Sequence, residues 1–170
     1  LAGHVLNDNN QTFYYLPHGA DPEKLKRTCI SFSDIQTTLR NLAGKALFFV
    51  DTCHSGALMA GGTRRSTTMV DVNRLANELS SAENGVVVFM SSTSRQYSLE
   101  NTTWNNGAFT KALVEGIGGK ADVTKKLKIT VTSLDFYLAE RVKELTEGKQ
   151  TPVTTKPNTV PDFPIAVVRQ

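Results

Sequence analysis

Short runs of apolar residues alternate along the chain with segments in which apolar residues recur at helical spacing. The longest runs are residues 46–50 and 85–90, and each is the length of one strand. Continuous apolar runs of this length are typical of strands that helices cover on both faces, and such strands are usually parallel. The pattern predicts an α/β fold, a three-layer sandwich with a mainly parallel sheet between helices.

Other segments extend this prediction. Strands are expected over 12–16 and 163–168, and residues 1–4 look like the tail of a strand whose beginning is missing. A first helix is expected to begin at Ser33, which has capping-box spacing to Gln36, and to be terminated by Gly44. Three later helices are expected. The first begins near Asp71 and has the apolar stripe Val72, Leu75, Ala76 and Leu79, and the second begins near Gly107 with the stripe Phe109, Leu113 and Ile117. The third begins near Thr132 and Asp135, and its stripe is Leu134, Leu138, Val142 and Leu145.

Length and composition narrow the class of protein. The 170 residues, 39% of them hydrophobic and 21% charged, fit one globular domain spanning 1–170. The net charge of +3 comes from scattered cations, and no apolar run reaches membrane-spanning length, so neither nucleic acid nor membrane is an expected partner. Two cysteines cannot form a disulfide framework and fit a reducing compartment, which predicts a cytoplasmic location.

Polar segments follow both central apolar runs, at 51–56 and at 91–100. In open α/β sheets, ligands bind beyond the carboxyl ends of the strands, so these segments should meet at one edge and form the site. Cys53 lies in the first of them, and His4 follows the strand-like start of the chain at the spacing of about 50 residues found in caspases. A thiol activated by a neighbouring base is a nucleophile, and the alternative is a half-buried cysteine that merely packs.

The sequence resembles caspase-like cysteine peptidases of the metacaspase and prokaryotic orthocaspase branch, the peptidase C14 type. Leu1-Ala-Gly-His4 is similar to the segment of the catalytic histidine, and Val50-Asp-Thr-Cys-His-Ser-Gly56 to that of the catalytic cysteine. The similarity covers nearly the whole chain and continues through Tyr15-Leu-Pro17, Ser91-Ser-Thr93, Gln96-Tyr-Ser-Leu-Glu100, Asn106-Gly-Ala-Phe-Thr110, and Leu145-Thr-Glu-Gly148 to Pro152.

This resemblance implies a cysteine endopeptidase. His4 would be the general base and then acid, Cys53 the nucleophile that forms an acyl-enzyme, and the backbone N–H groups of Cys53 and Val5 the oxyanion hole. The family usually has glycine directly after the histidine, and a β-branched Val5 is expected to restrict the backbone and crowd the cleft. Family members also have two strands before the histidine segment, so an N-terminal fragment of the same protein is an expected partner.

Substrate preference is expected to depend on Asp51. In an extended segment, residues 51 and 53 lie on one face, and in the resembled branch the matching aspartate lines the pocket for the residue before the scissile bond. An acidic pocket selects a polypeptide substrate with Arg, or Lys, at that position. Glu100 is a second candidate acid. The alternatives are a carboxylate that caps the following turn for Asp51 and an exposed loop charge for Glu100.

Residues 57–70 are predicted to be a mobile surface loop, in which Arg64 and Arg65 match the expected preference and are candidates for self-cleavage. An ordinary basic loop is the alternative.

No metal-ligand spacing is present and no cofactor is expected, although calcium activation occurs in the resembled family. Because Val5 departs from the family pattern and the start of the domain is missing, the rival hypothesis is a catalytically inactive caspase-like module that binds or regulates partners.

Overall fold

A computed structural model describes residues 1–8, 10, 12–54, 72–80, 85–91, 100–101 and 106–169. The strands in these ranges are β1 (Ala2–Asn7), β2 (Phe13–Leu16), β3 (Ile30–Ser31), β4 (Leu47–His54), β5 (Val87–Met90), β6 (Glu100–Asn101), β7 (Asn106–Gly107), β8 (Lys128–Thr130), β9 (Val153–Thr155) and β10 (Pro164–Val167). The helices are α1 (Leu25–Thr28), α2 (Phe32–Arg40), α3 (Val72–Ser80), α4 (Ala108–Glu115) and α5 (Val131–Leu145).

The main sheet has the strand order β3-β2-β1-β4-β5-β9. β4 lies between β1 and β5 and is parallel to both, whereas β2 and β9 are antiparallel to their neighbours. β3 is antiparallel to β2, so β1, β3, β4 and β5 all run in one direction. The predicted fold class, a mainly parallel sheet with helices on both faces, is confirmed.

Each face of the sheet carries its own apolar core. Successive strand residues point to opposite faces, so Val88 and Met90 of β5 join one core while Val87 and Phe89 join the other. The first core, which we call the α2–α3 side, includes Leu39, Ala76 and Leu79. The second core, the α4–α5 side, includes Phe109, Ala112, Leu134, Leu138 and Val142. The sheet is therefore the middle layer of a sandwich.

Two helices begin earlier than their sequence predicts. The cap of α2 is Ser31 rather than Ser33, since the hydroxyl of Ser31 accepts a 3.2 Å bond from the Asp34 amide. The cap of α5 is Thr130, which forms a reciprocal capping box with Ser133. In both helices an extended hydroxyl residue lies two positions before the predicted start and satisfies the first free amides.

Two helices also end differently from the prediction. Helix α2 ends at Arg40, and Gly44 lies in the following linker with φ +107°, so it is not the terminating glycine. Helix α4 continues as a π turn over Gly116–Lys120. The wider turn rotates Ile117 away from the core, and this residue is 41% exposed instead of belonging to the apolar stripe.

Two further predicted strands are confirmed, whereas a predicted helix cap and a predicted loop lie outside the described residues. The strands expected over 12–16 and 163–168 exist as β2 and β10. The predicted capping residue Asp71 and the loop 57–70 lie outside the described residues. Within the described part of the chain, no helix is both long and apolar enough to cross a membrane.

Candidate active site

His4 and Cys53 lie opposite each other on neighbouring parallel strands. The register of β1 and β4 pairs Gly3 with Thr52, His4 with Cys53 and Val5 with His54. Gly3 has φ +141°, a conformation that favours glycine, and a Cβ at this position would lie 3.3 Å from the hydroxyl oxygen of Tyr15. The backbone thus brings the two candidate catalytic positions together, while the side chain of Cys53 lies outside the described part of the chain.

Both strands are longer than the sequence predicts. Cys53 was expected in a loop, but β4 continues through His54. His4 was expected at the carboxyl end of its strand, but β1 continues to Asn7 because it forms a hairpin with β2, in which His4 pairs with Leu16. The two extensions run side by side, so the expected alignment of positions 4 and 53 survives.

Val5 does not crowd the side of the sheet on which His4 lies. Its side chain is 3% exposed and belongs to the core on the α2–α3 side. Neighbouring strand residues alternate between faces, so the exposed His4 lies on the opposite face. The expected crowding of the cleft is therefore wrong: in this strand the β-branched side chain fills the core.

Asp51 reaches from β4 to the start of α4. Its Oδ2 accepts a 2.6 Å hydrogen bond from the hydroxyl of Thr110, and its own amide donates to the Leu1 carbonyl at 2.7 Å. Gly107 is the N-cap of α4, and a Cβ at this position would lie 2.9 Å from Oδ2. The half-buried carboxylate is thus fixed on the same face of the sheet as position 53.

The backbone of Glu100 lies next to Gly107, the residue that also borders Asp51. Strands β6 and β7 are antiparallel, and their register pairs Glu100 with Gly107. Gly107 also borders Asp51, so the two acidic positions flank one glycine. The side chain of Glu100 lies outside what the structure describes, and its role stays a prediction.

The far end of α4 is fixed by ion pairs around Glu115. Its carboxylate accepts bonds from Arg141 at 2.9 Å and Tyr137 at 3.0 Å, and it pairs with Lys111 at 3.1 Å and Lys120 at 3.3 Å. The bond from Arg141 contributes most to lowering the pKa of Glu115 to about 2. Burial, followed by the bond to Glu115, raises the pKa of Tyr137 to about 12. Helix α4 is thereby joined to α5.

Gln150 fixes the carboxyl end of β5. It is fully buried, and its Nε2 donates a 2.7 Å bond to the carbonyl of Ser91. The amide of Ser91 in turn donates to the Val50 carbonyl at 2.9 Å, directly before Asp51. A chain of hydrogen bonds therefore connects the segment after α5 with the strand that carries the candidate nucleophile.

Two further residues of a type that can act as nucleophile or base, Cys29 and His18, lie apart from these contacts, and the two arginine candidates lie outside the described residues. Cys29 is half-buried with its sulfur 3.6 Å from the Thr28 hydroxyl, and His18 is exposed in the loop after β2. Arg64 and Arg65 lie outside the described ranges. In the part of the chain that is described, no three His, Cys, Asp or Glu residues are grouped so that they could hold a metal ion.

Sequence reasoning singled out Asp51 but missed the residues that hold it. Thr110 entered only as part of a motif, Gly107 as part of the same motif and as the expected start of a helix, and Gln150 only as part of a longer similar segment. A glycine at the N-cap of a helix and a threonine three residues later could have indicated a polar contact at this helix start, because Thr110 lies in the first turn next to Gly107. That signal does not identify the partner, which is 59 residues away in sequence.

Comparison with known proteins gives one family match. The family model described as a caspase domain matches residues 4–163, which is most of the chain. The matched range begins at His4 and contains both aligned positions, 4 and 53, as well as helices α4 and α5. No curated protein matches the chain.

Proposed function

Because the chain belongs to the caspase-domain family, we propose that it is a cysteine endopeptidase with Cys53 as nucleophile and His4 as general base. A caspase domain is a cysteine-peptidase domain, and its substrates are polypeptides. The observation that carries the assignment of the two residues is the strand register that pairs His4 with Cys53. This pairing supports the assignment, because side chains at paired positions of adjacent parallel strands can come within hydrogen-bond reach of each other, as a nucleophile and its base must.

The reaction proceeds through an acyl-enzyme. The imidazole of His4 takes the thiol proton, and the Cys53 thiolate attacks the substrate carbonyl carbon to form a tetrahedral intermediate. Backbone N–H groups of Cys53 and Val5 stabilise the oxyanion. Collapse of the intermediate breaks the C–N bond as His4 gives its proton to the leaving amine. Water, deprotonated by His4, then hydrolyses the thioester and restores the thiol.

Cleavage after Arg, and less efficiently after Lys, follows from Asp51 in this proposal. The carboxylate is half-buried and is fixed on the face that also contains position 53. A guanidinium can pair with a carboxylate through two parallel hydrogen bonds, and such a pair is strong where water is partly excluded. The backbone pairing of Glu100 with Gly107 supports a second acidic side chain at this pocket.

The burial of Val5 bears on the inactive-module hypothesis. That hypothesis depended on the bulky Val5 next to the candidate catalytic histidine and on the missing start of the domain. The side chain of Val5 lies in the core on the other face of the sheet, which removes the first of these two reasons. The backbone N–H of Val5 is retained by any residue except proline. The burial of Val5 thus supports the peptidase proposal over a regulatory module on this one point.

The proposal has four further parts. The domain includes a strand that precedes residue 1, calcium activates it, it belongs to the metacaspase branch, and its location is cytoplasmic. The described pairing of β1 with β4 covers residues 51–54, whereas residues 47–50 pair with β5 on the opposite side. A strand that continues β1 backwards along residues 47–50 would fit the expected N-terminal fragment. The experiments use the complete protein, with any residues that precede Leu1, and each assay is run with and without added calcium.

The test of the dyad is hydrolysis of a peptide with Arg before a fluorogenic leaving group. We expect Cys53→Ala and His4→Ala to lower the rate by at least about 10³-fold because the nucleophile or the base is lost. Cys29→Ala is the matched control, since Cys29 is the other cysteine and lies outside the site. An arginyl acyloxymethylketone should label wild type and Cys29→Ala at one cysteine, and should not label Cys53→Ala.

The same preparations test self-cleavage. Intact masses should show two fragments in wild type, cut between Arg64 and Arg65 or between Arg65 and Ser66, and one uncut chain in Cys53→Ala. An uncut wild type that hydrolyses peptides would remove self-cleavage from the proposal. Retained hydrolysis in Cys53→Ala or His4→Ala would remove that residue from the mechanism.

A further inference from the structure

The carboxylate of Asp51 has a defined partner on another element. Thr110 is the third residue of α4, and its hydroxyl donates a 2.6 Å bond to Oδ2. Both side chains are half-buried, so water competes little for this bond. The bond fixes Oδ2 against the start of α4, and the plane of the carboxylate is thereby restricted.

Gly107 leaves room for the same oxygen. Its φ of −66° and ψ of 153° are extended values that any residue adopts, so the backbone does not require glycine. A Cβ at this position would lie 2.9 Å from Oδ2 and 3.6 Å from Cγ of Asp51. The carboxylate occupies the space that a side chain would need, and any residue larger than glycine would displace it.

We propose that Thr110 and Gly107 are positioning residues that set the orientation of Asp51 and so select arginine over lysine before the scissile bond. The inference depends on the proposed peptidase function. Arginine needs the carboxylate plane aligned with its guanidinium, because both oxygens take part in a bidentate pair. A lysine ammonium is a compact charge with rotatable donors and tolerates a carboxylate that has turned. Orientation therefore favours arginine, whereas charge alone favours both cations.

The competing explanation is that the contact only caps α4. A carboxylate near a helix N-terminus stabilises the helix whatever the substrate. In that case, loss of the contact would lower the stability of the protein and would change the turnover of Arg and Lys substrates by equal factors. The ratio of the two specificity constants separates these explanations, because a merely structural role does not change it.

The experiment measures kcat/KM in the full chain for two peptides that differ only in Arg or Lys before the cleaved bond. Thr110→Val has the same shape but lacks the hydroxyl, and we expect the Arg to Lys ratio to fall about tenfold, mostly through KM. Thr110→Ser restores the hydroxyl and should return the ratio to within about threefold of wild type. Thermal unfolding of each variant shows whether it is folded at the assay temperature.

Gly107→Ala tests the same orientation without touching the hydrogen bond donor. The added methyl should turn the carboxylate and lower the Arg to Lys ratio by about tenfold. Gly118→Ala is the matched control, because a Cβ at this exposed position meets no atom within 4 Å. It should leave the ratio at the wild-type value.

The outcomes distinguish this inference from the proposed function. A wild type that hydrolyses both peptides, and whose ratio is unchanged in Thr110→Val and Gly107→Ala, overturns the positioning role and leaves the peptidase intact. A wild type that hydrolyses neither peptide overturns the peptidase and the positioning role with it. A ratio that falls in both variants and recovers in Thr110→Ser supports the proposal.

Discussion

Asp51 is the acidic side chain on which the proposed preference for a basic residue chiefly depends. It lies two residues before Cys53 in β4 and bonds to Thr110. An asparagine would keep the size of the side chain, but it would lose the negative charge and present one amide nitrogen to a cation. The charge and shape of this position can therefore be tested separately.

We predict that Asp51→Asn lowers kcat/KM for an Arg peptide by about 10- to 100-fold, the range expected when a hydrogen bond to a charged group is lost. A peptide with citrulline, which has nearly the shape of arginine without its charge, should lose much less. Asp135→Asn is the control because Asp135 is exposed on α5. Faster cleavage after Asp than after Arg in wild type would contradict an acidic pocket.

At the scale of residues, the sequence identified the candidates but not their surroundings. The alignment of positions 4 and 53 could be predicted because both follow strand-like segments, and the face of Asp51 because strand periodicity places it on the face of position 53. Their catalytic and binding roles stay predictions. The contact between Asp51 and Thr110 could not be predicted, since it depends on where α4 begins relative to β4. The side chain of Val5 could have been placed in the core by strand alternation, had β1 been expected to continue beyond His4.

Helix α4 is the element that connects the candidate pocket with the rest of the fold. Its first turn contacts Asp51, and its last residue is Glu115, whose partners include Arg141 and Tyr137 of α5. The carboxylate of Glu115 is only 16% exposed, so its ion pairs are screened less than those on the surface. The position of α4 therefore depends on a cluster of charges at its far end.

We predict that Glu115→Gln lowers the free energy of unfolding by about 1–3 kcal/mol at about pH 7. The pKa of Glu115 falls from its ordinary 4.5 to about 2 in the folded chain, so its stabilising effect is present above about pH 4.5 and is lost as the pH falls toward 2. Urea unfolding of wild type and variant should therefore give curves that converge with acid.

Glu144→Gln is the matched control for this prediction. Glu144 also accepts a bond from Arg141, at 2.7 Å, but its side chain is 70% exposed. An exposed pair contributes about 0–1 kcal/mol, so this variant should differ little from wild type. A difference between wild type and Glu115→Gln that stays constant from neutral to acid pH would contradict the role given to the Glu115 charge.

The ends of the elements were harder to predict than the elements themselves. Alternative hydroxyl residues lie two positions apart at the starts of α2 and α5, and only the backbone conformation decides which one caps the helix. Strand β4 extends beyond its apolar run because β1 pairs with it. Pairing between distant strands leaves no mark in the local pattern of hydrophobic residues.

At the scale of the whole molecule, the alternation of strands and helices was enough to predict the sandwich. Continuous apolar runs marked β4 and β5, which the structure places side by side with helices on both faces. The short strands β3, β6, β7, β8 and β9 were not predicted, because segments of two to three residues carry no periodicity. Their backbone hydrogen bonds depend on the fold as a whole.

Helices on the two faces of the sheet bury different numbers of apolar side chains, and we predict that this difference appears in the rates of amide hydrogen exchange. Helix α5 buries Val131, Leu134, Leu138 and Val142, whereas α2 buries only Leu39. Local opening costs less where fewer apolar side chains are buried, so amides of α2 should exchange at least about tenfold faster than those of α5. Equal protection of the two helices would contradict this asymmetry. If it holds, fluctuations that open the α2–α3 side leave the contact of Asp51 with Thr110 in place, since that contact lies on the slowly exchanging side.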